Sequence, residues 1–92
     1  MALAKIKQAD ILTKAKEIES LLCEKYKRLD KTLTFGSKLK SLDTKFKNPF
    51  LKDALWSIVK TRNYIAHEND FKISLKEYEL FLAEYTYVKK FV

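Results

Sequence analysis

The sequence predicts an all-α domain, an up-down bundle of four helices. Three observations carry this. The chain of 92 residues contains one Gly and one Pro, whereas sheet proteins of this size spend several of each on turns. Apolar residues recur every three or four positions through four segments, which is the period of a helix with one buried face. The breaks between these segments are short and polar.

The first segment carries Ile11, Ala15, Ile18, Leu22, Tyr26 and Leu29 on one stripe, with Leu3, Ile6, Leu12 and Leu21 flanking it. Its expected end is near Asp30. Gly36 follows the break at Asp30-Lys31-Thr32 and is expected where a Cβ would obstruct a turn or a close helix contact. Ser37 is a suitable N-cap for the short stripe Leu39, Leu42 and Phe46. Pro49 disfavours helix at Asn48 and can open the next helix in its first turn. That third helix buries Leu51, Leu55, Ile58, Val59 and Ile65 and runs to Ala66 or His67. After the polar connection Glu68-Asn69-Asp70, Ser74-Leu75-Lys76-Glu77 matches a capping box. The fourth helix then places Leu75, Tyr78, Phe81, Leu82, Tyr85 and Val88 at helical spacing, a stripe better suited to packing than to base stacking.

Ninety-two residues suit one domain, residues 1–92. A chain this short buries only roughly 60–65% of its unfolded surface, so association with a second copy would add stability. The single Cys23 excludes an internal disulfide, which fits a reducing compartment, and its mid-helix position suits packing. Charges interrupt the first residues too early for a signal-peptide core, and no run reaches the ~18 apolar residues of a membrane span. The expected location is the cytoplasm, with no membrane partner.

Net charge is +7, unevenly placed. Residues 31–62 hold eight basic and two acidic side chains, while residues 63–92 hold four basic and five acidic. Such a bias favours a polyanionic partner such as nucleic acid, and on charge alone a solvated Lys-rich surface explains it equally well. Lys38, Lys40, Lys45 and Lys60 are the candidate RNA contacts, with Lys47 and Lys52 in the same stretch. There is no recognisable helix-turn-helix signature for reading DNA sequence.

The concentrated chemical signal is Arg62-Asn63-Tyr64-Ile65-Ala66-His67. Arg can hold phosphate oxygens through paired hydrogen bonds. His67, the single His, exchanges protons near neutral pH. Asn63 can donate and accept, which suits it to orienting a reacting oxygen or the imidazole. Asn63 and His67 are four apart and share a helix face. Arg62 and His67 are five apart, about 140° around an ideal helix, so a bend or a second protein surface is needed to bring them together. The competing structural reading has His67 bonding the last carbonyls of its helix and Arg62 paired with Asp53, Glu68 or a carboxylate on another helix. One His and one distant Cys match no zinc spacing, and no Gly-rich phosphate loop is present. No metal or cofactor is expected.

The segment Arg62-Asn63-x3-His67 resembles the hallmark of the HEPN family, an Arg followed after four to six residues by His, with Asn commonly next to the Arg. Thr34-Phe35-Gly36-Ser37-Lys38-Leu39-Lys40-Ser41-Leu42 is similar to the Gly-led start of an inner helix in many such domains. The resemblance implies a homodimer whose two Arg-x4-His segments face one another across a cleft that binds and cuts RNA without metal. By it, Arg62, Asn63 and His67 would be the catalytic residues of a metal-independent endoribonuclease. It also implies toxin–antitoxin, abortive-infection or other defence systems, with a cognate antitoxin or defence-system protein as partner. Some HEPN toxins carry a modifiable Tyr two residues after the His; here that position is Asn69. The alternatives are a non-catalytic interaction module, antitoxin-like or adaptor, and a non-catalytic RNA-binding protein.

Overall fold

The computed structural model describes residues 2–67 and 73–92, with side chains from Lys7 onward. Leu3, Ile6, the connection Glu68-Asn69-Asp70 and the comparison at Asn69 lie outside the described side chains. Four α-helices follow one another: α1 (Ala2–Lys25), α2 (Phe35–Ser41), α3 (Pro49–His67) and α4 (Leu75–Phe91). One 3-10 turn, Asp43–Lys45, separates α2 from α3.

The three long helices run alternately. Asp10 meets Tyr78 and Glu17 meets Tyr85, so α1 and α4 are parallel neighbours. Ser57 meets Glu84 and Asn48 meets Tyr87, so α3 and α4 are antiparallel. The two-turn α2 packs on α3. Ile11, Ile18, Leu22, Leu39, Leu55, Ile58, Phe81 and Val88 form the fully buried centre, drawn from all four helices. Each such side chain contributes about 1.5–3 kcal/mol of burial. Among the described residues no helix is long and apolar enough to cross a membrane.

The caps explain the boundaries. Asn48 accepts from the backbone N–H groups of Phe50 (2.9 Å) and Leu51 (3.4 Å), and Pro49 opens α3 at its first position. The capping box at Ser74 is complete: Ser74 Oγ accepts from the Glu77 N–H (3.1 Å), and Glu77 Oε1 accepts from the Ser74 N–H (3.4 Å).

Four sequence expectations change. α1 ends at Lys25, five residues early. Asp30 instead accepts from the backbone (2.9 Å) and hydroxyl (2.6 Å) of Thr32, a local turn that competes with helix. Leu29 still reaches the core, because the turn Leu29 N–H to Tyr26 C=O (2.9 Å) returns it there. The cap of α2 is Thr34 rather than Ser37, with Thr34 Oγ1 accepting from the Ser37 N–H at 3.2 Å. Gly36 lies inside α2 against α3, yet a Cβ there would stand 3.6 Å from Val59 and 4.0 Å from Trp56, an ordinary contact. Leu75 is 60% exposed, Lys76 and Glu77 beside it in the first turn of α4 are exposed too, and Ile73 just before them is buried instead.

Candidate functional site

The second half of α3 builds the site. Trp56, Val59, Lys60, Asn63, Tyr64 and His67 line one groove of about 590 Å³. Their spacing of three, one, three, one and three residues keeps them on one stripe of a helix. Val59 forms the buried floor, Trp56 and Tyr64 are partly exposed walls, and Asn63 and His67 face solvent. His67 is the last residue of α3.

Arg62 stands apart. It is half-buried and does not line the groove; its Nη1 donates to Asn63 Oδ1 at 3.2 Å. Because α3 stays helical through His67, the five-residue spacing separates guanidinium and imidazole around the helix, as the geometry of a regular helix requires. One chain therefore presents Asn63 and His67 together, with Arg62 tied to them only through Asn63. Among the described residues neither Arg62 nor His67 makes an ion pair. The pairing of Arg62 with Asp53 is not formed, and Glu68 lies outside the described residues.

The four lysines expected to contact RNA divide. Lys60 lines the groove. Lys38 is 5% exposed and ion-paired with Glu19 at 2.5 Å, so its ammonium belongs to the α1–α2 packing and is not presented to a polyanion. Lys40 is exposed on α2, and Lys45 is exposed at the end of the 3-10 turn, beyond the opposite end of α3. Lys52 is paired with Asp43 at 2.6 Å. The basic excess of residues 31–62 is thus not gathered around His67.

Trp56 was not singled out in the sequence, although it lies seven residues before Asn63 and eleven before His67, on their stripe. A neighbouring groove of about 350 Å³ between α3 and α4 shares Lys60 and Tyr64 with the first. It also holds Glu84, whose carboxyl burial pushes above the ordinary Glu range while the Ser57 hydroxyl donates to it at 3.0 Å. The aromatic stripe of α4 is engaged in packing: the Tyr78 and Tyr85 hydroxyls donate to Asp10 and Glu17 of α1.

The family model for Apea-like HEPN domains matches residues 3–87. No curated protein and no solved structure matches the chain. With the match running from the first turn of α1 into the last turns of α4, the chain belongs to the Apea-like HEPN family.

Proposed function

We propose that this protein is a metal-independent endoribonuclease of toxin or defence type, cutting RNA at a site composed by two copies of the chain in the cytoplasm. Membership of the HEPN family supports a nuclease or RNA-related role. The observation that carries the finer reading is the placement of Asn63 and His67 in one exposed groove, with Arg62 bonded to Asn63 but outside that groove.

In-line RNA cleavage uses the ribose 2′-OH as nucleophile on the adjacent phosphorus. The new P–O bond closes a cyclic phosphate as the bond to the 5′-oxygen breaks. The reaction needs a base for the 2′-proton, an acid for the leaving oxygen, and cationic donors for charge gathering on the phosphoryl oxygens. One chain supplies one imidazole and an offset guanidinium; two chains supply two of each. In this reading Arg62 holds the phosphoryl oxygens, Asn63 orients Arg62 and the reacting oxygen, and the two imidazoles divide the proton transfers. Lys60, on the groove wall, adds attraction for the backbone.

The test is cleavage of a single-stranded RNA in the presence of a chelator. Arg62→Ala and His67→Ala are each expected to lower the rate about 10²-fold or more, with unchanged helical content by circular dichroism. Full activity in either folded variant overturns the assignment.

A second reading has its own observation. Leu80 is 60% exposed in the groove between α3 and α4 that it shares with Tyr64, and Tyr64 shares the next groove with the partly exposed Trp56. Apolar side chains of this size favour a protein partner, as in an antitoxin-like or adaptor module. That reading expects a stable hetero-complex and intact RNA.

A further inference from the structure

At the other end of α3, about 28 Å from His67 at 1.5 Å per helical residue, lies a second groove of different chemistry. Tyr26, Leu29 and Leu42 form its apolar surface, and Lys27, Arg28 and Lys45 are its cations. The groove has a volume of about 310 Å³, and among the described residues no carboxylate lines it. Lys27, Arg28 and Lys45 are exposed and make no ion pair among the described residues.

The carboxylates nearby in sequence are already engaged. Asp30 is bonded to the hydroxyl and backbone of Thr32, and Asp43 is paired with Lys52. Two helix C-termini, those of α1 and α2, adjoin the groove. Each carries about −0.5 charge, so together they offset roughly one of the three cations. Asp30, bonded to the neutral Thr32 and still ionised, offsets up to one more, so about one positive charge remains on a concave surface with an aromatic ring in it.

We propose that this groove binds phosphates of a single RNA strand at a distance from the cleavage site, with Lys27, Arg28 and Lys45 as its ligands and Tyr26 as the contact for sugar or base. The choice of RNA as ligand rests on the ribonuclease reading above. The groove gives that reading a length dependence. Spanning about 28 Å takes about eight nucleotides of a stacked strand at about 3.4 Å each, and fewer if the strand is extended. A strand of that length or longer engages both ends of the molecule, and a tetranucleotide engages one. The far groove therefore sets affinity for long strands and leaves the chemistry at Asn63 and His67 untouched.

The experiment measures binding of fluorescent 4- and 16-nucleotide single-stranded RNA to the non-cutting His67→Ala protein at several salt concentrations. In that background, Lys27→Ala/Arg28→Ala/Lys45→Ala is compared with the charge-matched control Lys7→Ala/Lys16→Ala/Lys76→Ala. Circular dichroism confirms the fold of both. The groove variant is expected to bind the 16-mer at least about tenfold more weakly. Its slope of log affinity against log salt should shrink by about 2, three phosphate contacts at about 0.7 each. The control should keep the original slope, and the groove variant should lose less affinity for the 4-mer, which never bridges the two ends, than for the 16-mer. Equal slopes in the two triple variants, or no 16-mer binding by the parent, overturns the groove. Loss of slope in the groove variant together with intact RNA under wild-type protein keeps the groove and removes the nuclease.

Discussion

Glu84 shows how one half-buried carboxylate weighs on this domain. Burial raises its pKa in the folded state, and the Ser57 hydroxyl only partly opposes that shift. A raised folded pKa means that the folded state favours the protonated acid. The cost of ionised Glu84 is absent below its unfolded pKa and builds as pH rises through the folded value. Glu84→Gln keeps an oxygen for Ser57 and removes the charge. The expected outcome is a higher melting temperature at pH 7, a modest gain because solvent screens a carboxylate that is only partly buried. The gain should vanish near pH 4. Equal melting temperatures at pH 7 would show that the open groove solvates the carboxylate fully.

At the scale of elements, α1 and α4 are held by two repeated clasps. Asp10 takes hydrogen bonds from Lys14 and Tyr78, and Glu17 takes them from Tyr85 and Lys89, with the same 68-residue separation between carboxylate and phenol. The Lys14 ammonium first, and then the Tyr78 hydroxyl, hold the Asp10 carboxyl below its ordinary range; Tyr85 first, and then Lys89, do so for Glu17. The hydrogen bond to Asp10 pushes the Tyr78 phenol up, and burial followed by the bond to Glu17 pushes up Tyr85. A depressed carboxyl contributes stability above its unfolded pKa near 4 and loses it as pH falls through the folded value. A raised phenol contributes fully below about pH 10 and loses its contribution as pH rises through the folded value. The clasps' contribution should therefore be flat from about pH 5 to pH 9.5 and fall on both sides. The double variant Tyr78→Phe/Tyr85→Phe should melt several degrees lower on that plateau and show shallower falls at both ends. Superimposable pH profiles would exclude the clasps as a source of stability.

The clasps were not legible in the sequence, because each joins residues 68 positions apart and a Tyr at helical spacing reads only as an apolar position. Lys38 escaped for the same reason: its partner Glu19 is on another helix, and a lysine in a basic stretch looks solvated. Local devices were legible. Ser74 to Glu77 and Asn48-Pro49 are fixed by groups within three residues of each other, and both formed where expected. The cap of α2 fell between these cases, since Thr34 and Ser37 are both hydroxyl residues and burial of Phe35 decides for the earlier one. In the site, the shared face of Asn63 and His67 and the separation of Arg62 follow from helix geometry alone, while the distribution of cations between the two ends of α3 depends on the tertiary fold.

The whole molecule measures 41 × 25 × 17 Å. Its thinnest dimension is about two packed helix layers, and Trp56, Tyr64 and Leu80 are exposed on the outer faces of α3 and α4. A second copy on that side would bury apolar surface that a 92-residue chain cannot bury alone. It would also supply the imidazole and guanidinium missing from one groove, while the basic groove at the far end of α3 stays open to the strand. Coupling of association to chemistry has a kinetic signature. If two copies compose the site, the cleavage rate rises with the square of protein concentration while the monomer predominates. It becomes linear once the dimer predominates, and the crossover matches the dissociation constant from sedimentation. A site complete in one chain gives a rate strictly proportional to protein at every concentration. Proportionality down to concentrations where the protein sediments as a 10.9 kDa monomer would place all the catalytic groups on one helix end and refute the shared site.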